Sequence, residues 1–155
     1  MPRKDQFIPH LVVSDGMAAL KFYQEVFGAE AGDVMMEPGG ARLMHGEIIL
    51  DDHMLFLSDE FAEKGDVTTR TPRTLGGTTA RITLQTDNPD AIVERAVARG
   101  ASVLMPVQNM FWGARYGKIV DPFGHEWGIN QQLKEQTEET TKAAAEEFFS
   151  KRHSP

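Results

Sequence analysis

The sequence predicts an α+β fold made of two βαβββ modules followed by a C-terminal helix. A β-rich run ends in turn residues and passes directly into a segment of helical period. The same succession of elements returns 72 residues later. Past Gln131 the chain turns polar, and its last stretch has the composition of a capped surface helix.

In the first module, F-I-P-H-L-V-V from Phe7 to Val13 reads as a strand, and Ser14-Asp15-Gly16 ends it with turn and N-cap residues. From Met17 to Phe27 the apolar residues Leu20, Tyr23 and Phe27 recur at helical spacing, and Gly28 stops the pattern as a C-cap. Ala41 to Leu50 reads as a strand, Asp51-Asp52 as a tight turn and His53 to Ser58 as the hairpin partner. Residues 59–79 are rich in Gly, Pro and Thr, show no sustained period and read as a linker.

The repeat defines the second module. Thr86-Asp87 matches Ser14-Asp15, Ala91 matches Ala19, Gly100-Ala101 matches Gly28-Ala29 and His125 matches His53, all at the spacing of 72. Its strand is expected over Ala80 to Gln85, its helix over Asp90 to Arg99 and its next strand at Val103-Leu104. A loop around Pro106 to Gly113 then precedes a closing hairpin of Ala114 to Val120 and His125 to Asn130. The terminal helix is expected over Thr137 to Phe149, with acidic residues in its first turn and Phe148 and Phe149 docking on this chain or on a partner. The organisation is therefore one domain, 1–155, with module one at 7–58, the linker at 59–79, module two at 80–130 and a helical tail at 131–155.

Hydrophobic residues make up 41% of the chain and charged residues 25%, the balance of a water-exposed globular protein. No apolar run approaches the ~18 residues of a membrane span, and no basic-then-apolar leader opens the sequence, so a cytoplasmic protein without membrane attachment is expected. The absence of cysteine excludes thiolate metal sites, thiol nucleophiles and disulfides. A net charge of -7 with no basic cluster argues against nucleic acid as a partner.

The motifs S-D-G-M-A-A-L-K-F-Y-Q-E-V-F-G in module one and D-P-F-G-H-E-W in module two, on a repeated βαβββ unit, resemble the vicinal oxygen chelate superfamily. That superfamily includes glyoxalase I, extradiol dioxygenases, fosfomycin-modifying enzymes and bleomycin-resistance proteins. I-P-H-L-V-V, M-H-G-E-I-I-L-D-D-H-M-L-F-L-S-D-E, T-L-G-G-T and F-W-G-A-R-Y-G are similar to its PhnB-like branch. The resemblance spans roughly Phe7 to Ile129. It implies a curved, cup-shaped mixed sheet with helices outside, and a homodimer with two sites. In metal-dependent relatives four inward side chains hold one divalent ion, from the first and last strands of each module. Those positions carry over to Ile8, Phe56, Ala80 and Gly128, with Thr79 or Arg81 as one-residue alternatives to Ala80. None is a useful ligand, so the resemblance implies the fold without the usual metal centre.

Hairpin geometry suggests what lines the cup instead. A two-residue turn at Asp51-Asp52 sets Glu47 opposite Phe56 and His45 opposite Ser58; cross-strand partners share a side, so Glu47 and His45 follow Phe56 inward. His10 shares the face of Ile8 by strand alternation. In the closing hairpin, setting Val120 opposite His125 aligns Arg115 with Asn130 and Gly117 with Gly128, which brings Arg115 inward and sends Trp127 and Ile129 under the helices. His125 and Glu126 are either working chemistry or, as a better match to their place beside a turn, a hairpin corner. Phe111, Trp112 and Tyr116 offer an aromatic wall or pack as core.

Two functions follow. The first is binding of a small organic ligand with polar or anionic groups by His10, His45, Glu47, Arg115 and Phe56, with no cofactor. The alternative is a metal-assisted lyase or isomerase in which His10, His45 and Glu47 recruit a divalent metal and Glu47 acts as catalytic base.

Overall fold

In the computed structural model, which describes residues 5–152, the chain forms two compact units, each built on a four-stranded mixed sheet. The first holds β1 (His10–Val13), α1 (Gly16–Phe27), β2 (Glu30–Met36), β3 (Leu43–Leu50) and β4 (His53–Asp59) in the sheet order β1-β4-β3-β2. β1 runs parallel to β4, and the remaining pairs are antiparallel.

α1 starts and stops where its caps dictate. The Asp15 carboxylate accepts from the Ala18 N–H at 2.9 Å, and Gly28 closes the helix in the left-handed region at φ 71°, a conformation that costs a residue with a Cβ about 1–2 kcal/mol. Its buried face, Ala19, Leu20, Phe22, Tyr23, Val26 and Phe27, lies on β3 and β4. The Asp59 carboxylate ties the helix entry to the sheet by accepting from the Gly16 and Leu43 N–H groups at 3.0 and 2.6 Å. Only glycine fits at position 16, where a Cβ would sit 2.4 Å from that of Leu43. The hairpin register is the expected one, with Leu50 opposite His53 and Glu47 opposite Phe56, and Asp51 takes the positive φ at its turn. β2 is the strand that the βαβββ repeat implies but to which the sequence assigns no segment: most of its residues are exposed and show no alternation, and its pairing is broken by irregularities.

Residues 59–79 are more than a linker. They begin in β4, make a 3-10 turn at Ala62–Lys64 and form a short α2 (Pro72–Leu75) capped by Thr71, whose Oγ1 accepts from the Thr74 N–H at 3.1 Å. The Glu60 carboxylate accepts from the Thr71 N–H at 3.0 Å and from the Thr74 hydroxyl at 3.0 Å. Arg42 binds Glu37 and Glu63, fastening the 3-10 turn to β3.

The second unit contains β5 (Arg81–Gln85), α3 (Pro89–Ala98), β6 (Ser102–Asn109), β7 (Ala114–Val120), β8 (Glu126–Gln132) and α4 (Glu138–Arg152), in the sheet order β5-β8-β7-β6 with β5 parallel to β8. α3, capped by Asn88 with Pro89 in its first turn, lies on β6, β7 and β8, where Ile119, Trp127 and Ile129 are buried. β6 continues through Pro106 to Asn109, where a loop was expected; as an edge strand it accommodates a residue with no N–H, and its pairing shifts register there. In α4 no residue is buried, Thr137 Oγ1 accepts from the Thr140 N–H at 3.2 Å, and the Phe148 ring lies 4.9 Å from that of Phe111 in the same unit.

The β7–β8 connection corrects the expected register. Val120 pairs with Glu126, not His125, and Arg115 with Gln131, not Asn130. Asp121 and His125 face each other across a three-residue loop: the Asp121 N–H donates to the His125 carbonyl at 2.9 Å, the Gly124 N–H to the Asp121 carbonyl at 3.1 Å, and Gly124 has φ 89°. This is a turn followed by a left-handed glycine, one residue shorter than a loop of all four residues D-P-F-G. Residues 121–125 belong compactly to the first unit. There Tyr23 donates its hydroxyl to the Asp121 carboxylate, Phe123 meets Phe22 edge-on at 6.1 Å, and the His125 ring donates from Nε2 to the Val12 carbonyl at 2.8 Å. His125 thus has the hairpin-corner role.

Candidate functional site

Strand alternation in the first unit sends Leu11, Val13, Leu55 and Leu57 into the core or under the helix, leaving His10, Phe56, Ser58, Glu47 and His45 for the other face of the sheet. The parallel register sets His10 beside Phe56, and Phe56 lies opposite Glu47. His45 Nε2 is 3.4 Å from Glu47 Oε1, and its ring stands edge-on to Phe56 at 4.7 Å. His10 meets the same phenyl ring edge-on at 6.3 Å and shares a 3.0 Å hydrogen bond with the buried Ser58 hydroxyl. Glu47 also accepts from the Asp33 N–H of β2 at 3.2 Å, which fixes the carboxylate against the sheet.

The pKa of His10 lies below the usual imidazole value, first because burial of the ring disfavours its charged form and second because His45 repels a second positive charge. Near neutral pH His10 is a neutral hydrogen-bonding group. The structure therefore brings His10, His45, Glu47 and Phe56 together on one face. Among the described residues, however, no three His, Asp or Glu side chains converge in a way that could hold a metal ion.

Arg115 is elsewhere. With the shifted register it shares a side with Gln131 and Gly117, while Tyr116 and Lys118 share the side of Gly128. Its guanidinium grips Asp90 in the first turn of α3 through two 2.7 Å bonds and reaches Asn109 at 3.0 Å. This pairing holds the Asp90 carboxyl below its usual range. On the Gly128 side, Arg81 of β5 pairs with Glu126 at 2.9 Å. Of the aromatic trio, Tyr116 lies on this face, whereas Phe111 packs with Trp112 and Phe148.

Parallel pairing relates the family metal positions of the two units, although β1 starts at His10 and not at the expected Phe7, so that Ile8 lies just ahead of the strand. His10 beside Phe56 corresponds to Thr83 beside Gly128, so the residue that corresponds to Ile8 is Arg81, one position after Ala80. Ile8 and Phe56 offer hydrocarbon, Arg81 a permanent cation and Gly128 no side chain. A Cβ at position 128 would lie 2.6 Å from the Tyr116 hydroxyl and 2.9 Å from Thr83 Oγ1, so the space for a chelating side chain is already filled. These residues do not fit a divalent metal.

Beside His10 the first unit opens a cleft of about 550 Å³ lined by His10, Val12, Arg70, Pro72, Leu75, Gly76, Gly77, Thr78, Thr79 and His125. Of the residues expected to line a ligand site, His10 alone lies in this cleft, whose walls include none of His45, Glu47, Phe56 and Arg115, and the wall contributed by residues 70–79 was not anticipated. The available signal was L-G-G-T: Gly76 at φ 84° and Gly77 at φ 152° need glycine, and no atom lies within 4 Å of a Cβ built on either.

The fold and the motifs on it agree with what comparison with known proteins finds. The uncharacterized protein Mb0911c of Mycobacterium bovis is 35% identical over 136 residues, 88% of this chain and 89% of that protein. Protein PA1353 from Pseudomonas aeruginosa has the same fold, with a TM-score of 0.64, 24% identity and coverage of 84% of this chain and 100% of that one. A PhnB protein from Bacillus cereus superposes with a TM-score of 0.61 at 17% identity, over 82% of this chain and 99% of that one. The sequence profile of one superfamily spans residues 6–129, covering both modules and the segment between them. With that match, the two βαβββ sheets and the D-P-F-G-H-E-W corner, the chain belongs to the glyoxalase/bleomycin resistance protein/dioxygenase superfamily.

Proposed function

We propose that the protein binds a small organic ligand in the first unit without a divalent metal, and that it works as a homodimer. One observation carries this reading: the four positions at which metal-dependent relatives take their ligands are Ile8, Phe56, Arg81 and Gly128, and Tyr116 fills the space at the last of them. Of the polar groups around Phe56, His10, bonded to Ser58, also lines the cleft, and it suits orientation of a ligand more than chelation. A cleft of about 550 Å³ beside His10 is within the ~300–1,000 Å³ typical of small-molecule sites. A screen of neutral and charged fragments by amide NMR tests it. Perturbations are expected at His10, Val12 and residues 76–79, and no methylglyoxal-glutathione turnover is expected with nickel or zinc added. A screen that leaves those amides unmoved, or turnover that depends on the metal, overturns the proposal.

A further inference from the structure

We infer that the cleft beside His10 takes an organic anion, a carboxylate or phosphoryl group on an apolar body, with Arg70 as its charge partner. The inference rests on the ligand-binding reading and narrows the ligand.

The chain carries 23 acidic against 16 basic residues, yet no carboxylate lines this cleft. Its titratable groups are Arg70, His10 and His125. The other cations of this part of the chain are engaged: Arg42 with Glu37 and Glu63, Lys64 with Glu37, and Arg73 with the Pro122 carbonyl. Among the described residues Arg70 has no hydrogen-bond or ion-pair partner. The Glu60 carboxylate accepts from Thr71 and Thr74 and, among the described residues, forms no ion pair with Arg70. An uncommitted guanidinium in a concave site without carboxylates favours an anion, which it can engage through two parallel N–H donors.

The backbone around Arg70 is held in place. Thr69 Oγ1 accepts from the Phe61 N–H at 2.9 Å, and the Thr71 N–H donates to Glu60 at 3.0 Å, with Thr71 only 2% exposed. The guanidinium therefore works from a fixed base, which lowers the ordering cost of gripping a ligand. Val12, Pro72 and Leu75 supply hydrocarbon to the same cleft, and Leu75 is 62% exposed, so an apolar body has a surface to cover. Gly76 and Gly77, which follow Leu75 in the same lining, add no side chain to it.

Amide NMR titration of the full chain with benzoate, phenylphosphonate, benzamide and inorganic phosphate tests this. We expect benzoate or phenylphosphonate to move the amides of residues 76–79, benzamide to bind at least about tenfold more weakly, and Arg70→Gln to remove that preference. Because Arg70 is exposed, the variant's remaining spectrum should match that of the parent. Whichever of benzoate and phenylphosphonate binds more tightly identifies the head group. Equal binding of benzamide and benzoate, unaltered in Arg70→Gln, overturns the charge assignment while leaving ligand binding intact. Inorganic phosphate binding as tightly as phenylphosphonate overturns the organic body. If neither organic anion moves these amides while neutral fragments do, the anion inference fails alone; if no compound moves them, both readings fail.

Discussion

Tyr23→Phe isolates the bond that holds the β7–β8 connection in the first unit. Tyr23 is fully buried and donates its hydroxyl to Asp121, itself only 3% exposed. The other carboxylate oxygen of Asp121 accepts from the Phe123 and His125 N–H groups at 2.9 and 3.0 Å, so one aspartate organises the whole turn. The substitution keeps the ring, with its stack on Phe27 at 5.7 Å and its edge contact with Phe22 at 5.4 Å, and creates no sizeable cavity. What is lost is a hydrogen bond to a charged acceptor, worth about 1.5–3 kcal/mol. With a urea m-value of about 2 kcal/mol/M, typical of a small protein, the midpoint should fall by roughly 1 M with m unchanged. Urea unfolding followed by circular dichroism reads this directly, and hydrogen exchange at Phe123 and His125 should accelerate. A midpoint within about 0.2 M of the parent, with exchange unchanged, would refute the claim that this contact anchors the connection.

Other substitutions separate the two faces of the sheets. Gly128→Ala should cost about 1–3 kcal/mol through overpacking, because its Cβ meets Tyr116, and the cost should be less than additive when combined with Tyr116→Ala. Arg115→Ala should leave ligand binding unchanged and return the Asp90 carboxyl to its ordinary range, as read by carboxyl-carbon NMR titration. Asp90 is held below its ordinary value in the folded chain, so its pairing stabilises the protein above that value and the benefit disappears as pH falls through the folded pKa. His10 behaves alike in direction for a different reason: burial and His45 depress its pKa, so the unfolded chain binds the proton first and stability should fall as pH drops below the usual imidazole value. In His10→Gln that part of the slope in pH-dependent urea unfolding should be absent.

Where local chemistry decided the structure, the residues could be read directly. Asp15 and Gly28 bracket α1, and the two-residue Asp51-Asp52 turn fixes the β3–β4 register, so the sequence alone sets His45 and Glu47 on the side of Phe56. The repeat implied β2, but its segment could not be picked out because an exposed edge strand such as E-A-G-D-V-M-M needs no hydrophobic alternation. β6 escaped because Pro106 looks like a breaker, although an edge strand tolerates it. The placement of Arg115 turned on one residue of loop length: counting Asp121 into the loop, instead of pairing it with His125, exchanges the two sides of β7. The wall of the cleft was least legible, since residues 70–79 are positioned by tertiary contacts such as Thr71 with Glu60 that have no periodic signature.

The most direct test of metal-free ligand binding is elemental analysis of the protein purified without a metal-binding tag, equilibrated with excess zinc, nickel or manganese and then desalted. No stoichiometric divalent ion should remain. One ion retained per chain, and lost in Glu47→Ala, would contradict the central claim and restore a metal-assisted site at His10, His45 and Glu47.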